Sequence, residues 1–202
     1  VGSLDLRVTA TDTGTLTVSD TFIFTVTNVN EAPTVAAPLA DQQATEDVPF
    51  SLVVPATTFA DVDPGDTLAY SVTLAGGAAL STWLSFNATT HTVSGTPLNN
   101  DVGTLNVAVQ ATDLSGLSAT DTFVLAIQNV NDAPTLASPL ADQTVPEDAP
   151  FSIQAPSNTF ADEDLMYGDI LTYNATLADG SPLPTWLSFT PTTRTFSGMP
   201  DD

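Results

Sequence analysis

The chain has 202 residues and carries 24 acidic side chains against 2 basic ones, a net charge of −22. That imbalance excludes nucleic acid and anionic membrane as electrostatic partners and favours divalent cations, although it also serves solubility in a salty medium. No cysteine is available to brace the fold, and no apolar run approaches the roughly 20 residues a membrane-spanning helix needs, so no membrane insertion is expected.

Taken in chain order, Val1-Gly2-Ser3-Leu4 opens a stretch that runs to Asn28-Val29-Asn30-Glu31-Ala32-Pro33. Both landmarks return 101 residues later, as Val102-Gly103-Thr104-Leu105 and Asn129-Val130-Asn131-Asp132-Ala133-Pro134. A fixed period of this length predicts tandem domains. On that period, residues 1–31 are expected to be the C-terminal strands of a preceding or partner repeat, 32–132 a complete repeat, and 133–202 the N-terminal part of the next, completed by residues equivalent to 1–31 of another copy. Within the complete repeat, Phe50, Leu52 and Val54 alternate with polar residues. So do Leu68, Tyr70, Val72 and Leu74, then Leu105, Val107 and Val109, then Phe123, Leu125 and Ile127. Period-two patterning predicts strands with one buried face. Turn signals fall between them at Asp63-Pro64-Gly65-Asp66, Gly76-Gly77, Asn99-Asn100-Asp101 and Leu114-Ser115-Gly116. The expected fold is therefore all-β, a series of Greek-key immunoglobulin-like sandwiches of about seven strands each, without long helices. Trp83 and Trp186 are the expected core plugs, each worth about 1.5–3 kcal/mol of apolar burial.

The end of the chain continues the pattern. Ser197-Gly198-Met199-Pro200 matches Ser94-Gly95-Thr96-Pro97, and Asp201-Asp202 falls where Asn100-Asp101 leads into Val102. One copy thus runs in register into the next. This fits one period of a longer covalent array, or separate chains that polymerise head to tail by donor-strand complementation. In both cases the partners are further copies of the same repeat, and unpaired pieces would expose sheet edges and apolar faces.

Oxygen-bearing side chains recur in register with the linkers. Glu46-Asp47 and Glu147-Asp148 precede the first core strand, and Asp61-Val62-Asp63 and Asp162-Glu163-Asp164 place two aspartates on one side of an extended segment. Asp12 and Asp113 follow Ala-Thr at strand ends. A calcium ion takes about 6–8 oxygens at roughly 2.3–2.6 Å, more than one short loop offers, so ligands should converge from several segments. The expected set at the internal joint is Glu46, Asn129, Asn131 and Asp132 with Asp162 and Asp164. At the joint before the complete repeat it is Asn28, Asn30, Glu31, Asp61, Asp63 and Asp113. Glu147 and Asp12 are the equivalents belonging to the partial repeats. The alternative is that all are solvated turn residues.

Glu46, Asp61-Val62-Asp63, Ala111-Thr112-Asp113 and Asn129-Val130-Asn131-Asp132-Ala133-Pro134 resemble, in order, the calcium-ligand blocks of cadherin repeats. The middle of each repeat resembles the dystroglycan-type cadherin-like domain of bacterial surface proteins, through Trp83-Leu84-Ser85-Phe86 with Val93-Ser94-Gly95-Thr96-Pro97, and Trp186-Leu187-Ser188-Phe189 with Phe196-Ser197-Gly198-Met199-Pro200. The resemblance implies Ca2+-dependent rigidity and a secreted, extracellular or cell-surface location. It implies a role as spacer of a large bacterial adhesin or as subunit of an extracellular filament. A Ser-Gly-Thr-Pro segment stands where animal cadherins have an acidic Asp-Arg-Glu block, which implies fewer and weaker ions at each joint. Members of the family are also reported to bind polysaccharide, so the alternative function is a carbohydrate-binding module with surface polysaccharide as partner. Tyr167, in the inserted Leu165-Met166-Tyr167-Gly168 turn, is the one candidate aromatic platform. No enzyme is expected: His91 is the sole histidine, in a Thr-rich turn whose counterpart carries Arg194, and no nucleophile elbow or phosphate loop occurs. The paired aspartates recur at each joint, as ligands do and a single active site need not.

Overall fold

The computed structural model describes residues 1–63 and 65–201. Pro64, within the turn expected after Asp63, and Asp202 lie outside the described residues. Strands β1 (Gly2–Thr11) and β2 (Thr17–Val26) form an antiparallel hairpin in continuous register from Gly2↔Val26 to Thr11↔Thr17. Its turn is closed by Asp12 N–H donating to the Leu16 carbonyl at 2.9 Å. The hairpin forms a sheet of its own, and apart from Ser19 every strand residue is exposed.

Residues 32–132, the stretch expected to form a complete repeat, contain β3 (Thr34–Val35), β4 (Gln42–Thr45), β5 (Phe50–Val53), β6 (Phe59–Ala60), β7 (Ala69–Leu74), β8 (Leu84–Asn87), β9 (Thr92–Gly95), β10 (Gly103–Thr112) and β11 (Ser118–Gln128). Seven of these have four residues or more, the number expected, and the pair β3–β6 adds a short antiparallel contact. One sheet has the order β4-β11-β10-β7 and the other β5-β9-β8. The long hairpin β10–β11 thus occupies the middle of the four-stranded sheet. Its inward residues Val107, Val109, Ala111, Phe123, Leu125 and Ile127 are buried, together with Leu84 and Val93 from the other sheet and Val54 just after β5. Tyr70, Val72 and Leu74 are only half-buried, because β7 lies at a sheet edge.

The tryptophans differ from expectation. Trp83 and Trp186 are half-buried rather than central. Each is held where its own carbonyl presses on a glycine: a Cβ on Gly95 would lie 1.8 Å from the Trp83 carbonyl oxygen, and one on Gly198 would lie 2.0 Å from that of Trp186. The Ser-Gly-Thr-Pro and Ser-Gly-Met-Pro segments therefore owe their glycines to close backbone approach.

Further along, β12 (Thr135–Leu136), β13 (Phe151–Gln154), β14 (Phe160–Ala161), β15 (Leu187–Thr190) and β16 (Thr195–Gly198) reproduce β3, β5, β6, β8 and β9, with the sheet order β13-β16-β15 and the pair β12–β14. The inserted turn is a short 3-10 helix, Glu163–Tyr167, capped by the Asp162 carboxylate accepting from Asp164 N–H at 2.9 Å. Residues 143–146 and 172–177, the counterparts of β4 and β7, are not in strand conformation.

The chain divides into two compact units, Val1–Ala44 with Val48–Pro97 and Gly103–Ala126, and Thr45–Asp47 with Leu98–Val102 and Ile127–Asp202. Compactness thus cuts the chain a few residues away from the repeat boundaries, grouping the loops at 45–47 and 98–102 with the second unit. Among the described residues no helix is long and apolar enough to cross a membrane.

Candidate metal centre

In the second unit, Glu46, Asp132 and Asp164 bring carboxylate oxygens within 4.8 Å of one another. Glu46 is 0 % and Asp164 2 % exposed. Local backbone geometry aims them. Glu46 follows β4, and its N–H donates to the Gln128 carbonyl at 3.1 Å, which fixes it beside the end of β11. Its Oε1 accepts the Val130 N–H. Asp164 accepts from the Asn129 side-chain amide at 2.7 Å and from the Asp132 N–H. Asp132 in turn accepts from the Asn99 amide at 2.9 Å.

These bonds do not satisfy the cluster. Glu46 Oε2, Asp162 Oδ2 and Asn99 Oδ1 are buried acceptors without a donor. Like charges at this spacing repel by about 3–4 kcal/mol per pair at an effective dielectric of about 20. The two basic side chains are engaged elsewhere: Arg7 donates to Ser19 at 2.6 Å, and Arg194 donates to the Ala155 carbonyl at 3.4 Å and lies 5.6 Å over the Tyr173 ring. Buried oxygens that lack donors, gathered among carboxylates with no cationic side chain, fit a hard divalent cation.

The first unit holds a second cluster, in which Asp61, Asp63 and Asp66 have carboxylate oxygens within 4.8 Å. Asp61 Oδ1 accepts the Asp63 N–H at 2.9 Å, while Asp61 Oδ2 and Asp66 Oδ2 are buried without donors. The linker reaches in from above them in sequence. Asn28 donates to Asp63 at 2.6 Å and the Glu31 N–H does so at 2.7 Å. Asn30 donates to Asp113 at 2.9 Å, and Asp113 also caps its own turn through the N–H groups of Ser115 and Leu117. The amide of Asn28 and the N–H of Glu31 hold Asp63 below the usual carboxylate range, and the amide of Asn30 does the same for Asp113. Desolvation, then the charges of Asp61, Asp113 and Asp63, push Asp66 up. Desolvation, then the neighbouring Asp63 and Asp61, push Glu31 up.

The sequence-derived sets are thus placed as follows. Glu46, Asn129, Asp132, Asp162 and Asp164 come together in the second unit, and Asn28, Asn30, Glu31, Asp61, Asp63 and Asp113 in the first. Asn131 is exposed and its side chain donates to the Asp132 carbonyl at 3.1 Å. Glu147, the counterpart of buried Glu46, is exposed. Asp12, the counterpart of Asp113, is exposed and accepts from Gly14 and Leu16 N–H at 2.9 and 2.8 Å. Three participants escaped sequence reasoning. Asp66 is carried to Asp61 and Asp63 by the intervening turn, and Asn99 and Glu163 meet through side-chain hydrogen bonding beside Asp132. The recurrence of Asp66 as Asp169 is a signal that could have flagged the first, although Asp169 is exposed. Tyr167 is half-buried and its hydroxyl donates to the Asn99 carbonyl, which leaves the carbohydrate-binding alternative without the platform named for it. His91 sits in a left-handed turn conformation with its ring 4.3 Å from that of Tyr70.

Comparison with known proteins places the chain. It is 32% identical over 123 residues to the serine-rich adhesin for platelets of Staphylococcus aureus strain USA300, a match that spans 61% of this chain and 5% of that protein. Among solved structures it is similar to a protocadherin gammaB7 cis-dimer containing cadherin domains 3–6, with a TM-score of 0.49 and 18% identity over 98% of this chain and 50% of that one. An endo-fucoidan hydrolase of glycoside hydrolase family 107 gives a TM-score of 0.43 and 18% identity over 99% of this chain and 30% of that one. At these scores neither structure bears on function. A family model described as "Putative Ig domain" matches residues 32–128 and 133–202, and the chain belongs to that family.

Proposed function

We propose that the chain is a calcium-rigidified repeat module of a bacterial extracellular adhesive array, secreted or displayed at the cell surface, with no enzymatic role of its own. Its partners are further copies of the same repeat, joined covalently or head to tail. The observation that carries this reading is the convergence of Glu46, Asp132 and Asp164, two of them fully or almost fully buried, around acceptor oxygens that have no donor. The similarity to part of a staphylococcal adhesin supports the adhesive context.

The residues divide the work between holding an ion and aiming the ligands. Glu46, Asp132, Asp162 and Asp164 would hold the cation in the second unit, and Asp61, Asp63 and Asp66 in the first. Asn129 and Asn28 lock the central aspartates through their amides. Calcium supplies positive charge that relieves the mutual repulsion of the carboxylates. Because the ligands come from separate stretches of the repeat and the linker, the ion opposes bending at the linker. Extracellular calcium modules commonly have Kd near 10⁻⁴–10⁻³ M, so free calcium at about 10–100 times Kd adds roughly 1.4–2.7 kcal/mol. That stiffens a joint without being needed to fold a domain. Thermal melting with and without EDTA tests it: calcium raises Tm and chelation reverses the rise. A melting curve indifferent to both, together with no calcium heat by titration calorimetry, would overturn the proposal.

A further inference from the structure

The turn that follows Asp162 departs from the one that follows Asp61. Asp63-Pro64-Gly65-Asp66 is replaced by the longer Asp164-Leu165-Met166-Tyr167-Gly168-Asp169. The longer turn folds as the 3-10 helix Glu163–Tyr167 and ends on Gly168 in the left-handed region, at φ 106°, which glycine adopts without strain. Leu165 and Met166 are exposed, at 47 % and 69 %, so apolar burial does not hold the turn down. Tyr167 is turned inward instead, and its hydroxyl donates to the Asn99 carbonyl. Asn99 opens a 3-10 turn of its own, in which Asp101 N–H donates to the Leu98 carbonyl at 2.7 Å and the Asp101 carboxylate accepts from Leu98 N–H at 2.9 Å. From that turn the Asn99 side-chain amide donates to Asp132 at 2.9 Å and to Glu163. All of these residues belong to the second unit, and Asp132 is one of the three carboxylates that converge there. The chain of bonds that starts at Tyr167 therefore ends on a candidate cation ligand.

We propose that Tyr167 is a positioning residue of that site: by fixing the Asn99 backbone it holds the Asn99 amide on Asp132, and so sets the Asp132 carboxylate toward Glu46 and Asp164 before a cation arrives. The role rests on the reading of this cluster as a cation site. A carboxylate has two oxygens, and an amide bonded to one of them stops the side chain from rotating while the other stays open to the ion. Outer partners of this kind commonly change metal affinity by about 10–100-fold. Without the tether, the converging carboxylates would relax apart under their mutual repulsion, and the ion would have to gather them again. The same amide also donates to Glu163, which places its hydrogens between two carboxylates that would otherwise repel. The turn after Asp61 carries no tyrosine, so the Asp61, Asp63 and Asp66 cluster serves as an internal control.

The test is a calcium titration of the whole isotope-labelled chain, stripped beforehand with EDTA and followed through its amide resonances. Val130 N–H, bonded to Glu46, and Asp132 N–H, bonded to Asp164, report the second unit. Asp63 N–H, bonded to Asp61 at 2.9 Å, reports the first. Tyr167→Phe removes one hydroxyl and should weaken calcium binding about tenfold at Val130 and Asp132, with no change at Asp63. Asn99→Ala should weaken it by a similar factor, and adding Tyr167→Phe to that variant should cost nothing more, because the tyrosine acts through the amide. A merely structural role for Tyr167 predicts instead that the two factors multiply. Calcium binding that Tyr167→Phe leaves within about twofold of the parent chain, or factors that multiply in the double variant, would overturn this inference alone. No calcium response at Val130 and Asp132 in the parent chain would overturn it together with the cation reading.

Discussion

The hairpins β1–β2 and β10–β11 have matching alternation, nearly the same length and the same turn, yet one is exposed apart from Ser19 and the other occupies the middle of a four-stranded sheet. In both, the backbone N–H of an aspartate, Asp12 or Asp113, donates across the turn at 2.9 Å, and that aspartate's carboxylate caps the turn. The turn of each hairpin is thus set locally, by alternation and turn chemistry. The strands on either side behave otherwise. β4 and β7 exist beside β10–β11, whereas their counterparts at 143–146 and 172–177 lack strand structure where no hairpin lies between them.

The widest separation between the two hairpins should come from charge placed on equivalent aromatic positions. Phe123→Asp buries an unpaired carboxylate and removes a ring that is 1 % exposed, so it should cost more than about 4 kcal/mol and unfold the complete repeat. Phe22→Asp, at a position 48 % exposed, should leave that unfolding transition within about 0.5 kcal/mol in dilute solution. Denaturant melts of the two variants check the contrast, and equal effects would break it. The complete and open sandwiches can be compared the same way. Gly95→Ala sets a methyl against the Trp83 carbonyl and should destabilise the complete repeat by about 3 kcal/mol. Gly198→Ala makes the same clash in the open sandwich, and should show as faster amide exchange in β15 and β16 while the main transition stays put.

A smaller effect separates the two glutamates. Glu46→Gln removes charge from the buried cluster and should weaken calcium binding by about tenfold, near 1.4 kcal/mol, whereas Glu147→Gln, altering an exposed side chain, should leave calorimetric affinity unchanged in dilute solution. The smallest expected effect is on pH dependence in EDTA. Glu31 and Asp66 have raised pKa values, so the folded first unit binds protons that the unfolded chain does not, and stability rises as pH falls through those raised values. Asp63 and Asp113 have lowered values, so their contribution is present above the ordinary aspartate range and lost only as pH falls through the lowered values. Tm against pH should therefore pass through a maximum on acidification. Saturating calcium should remove the upper part of the rise, because the cation already relieves the repulsion that protons relieve.

Much of this was legible in the residue order. Alternation at Leu105, Val107 and Val109 and at Phe123, Leu125 and Ile127 marked β10 and β11, and the 101-residue recurrence supplied the correspondence between repeats. Period-two spacing placed Asp61 with Asp63, and the linker asparagines are hydrogen-bonded to aspartates far away in sequence. What escaped depends on turn geometry or on absent neighbours. Asp66 reaches its cluster around a turn that spacing alone does not define, and Asn99 is presented by a single 3-10 turn, Asn99–Asp101. Composition pointed to the tryptophans as the heart of each core, yet the close approach of each Trp carbonyl to a glycine backbone holds them half-buried.

The acidic clusters are proposed to be cation sites. Crystals grown in saturating calcium, with anomalous data collected at long wavelength, test this most directly. An anomalous peak is expected about 2.3–2.6 Å from oxygens of Glu46, Asp132 and Asp164. A well-ordered cluster whose three carboxylates are bridged only by water or protons, with no anomalous signal, would contradict it.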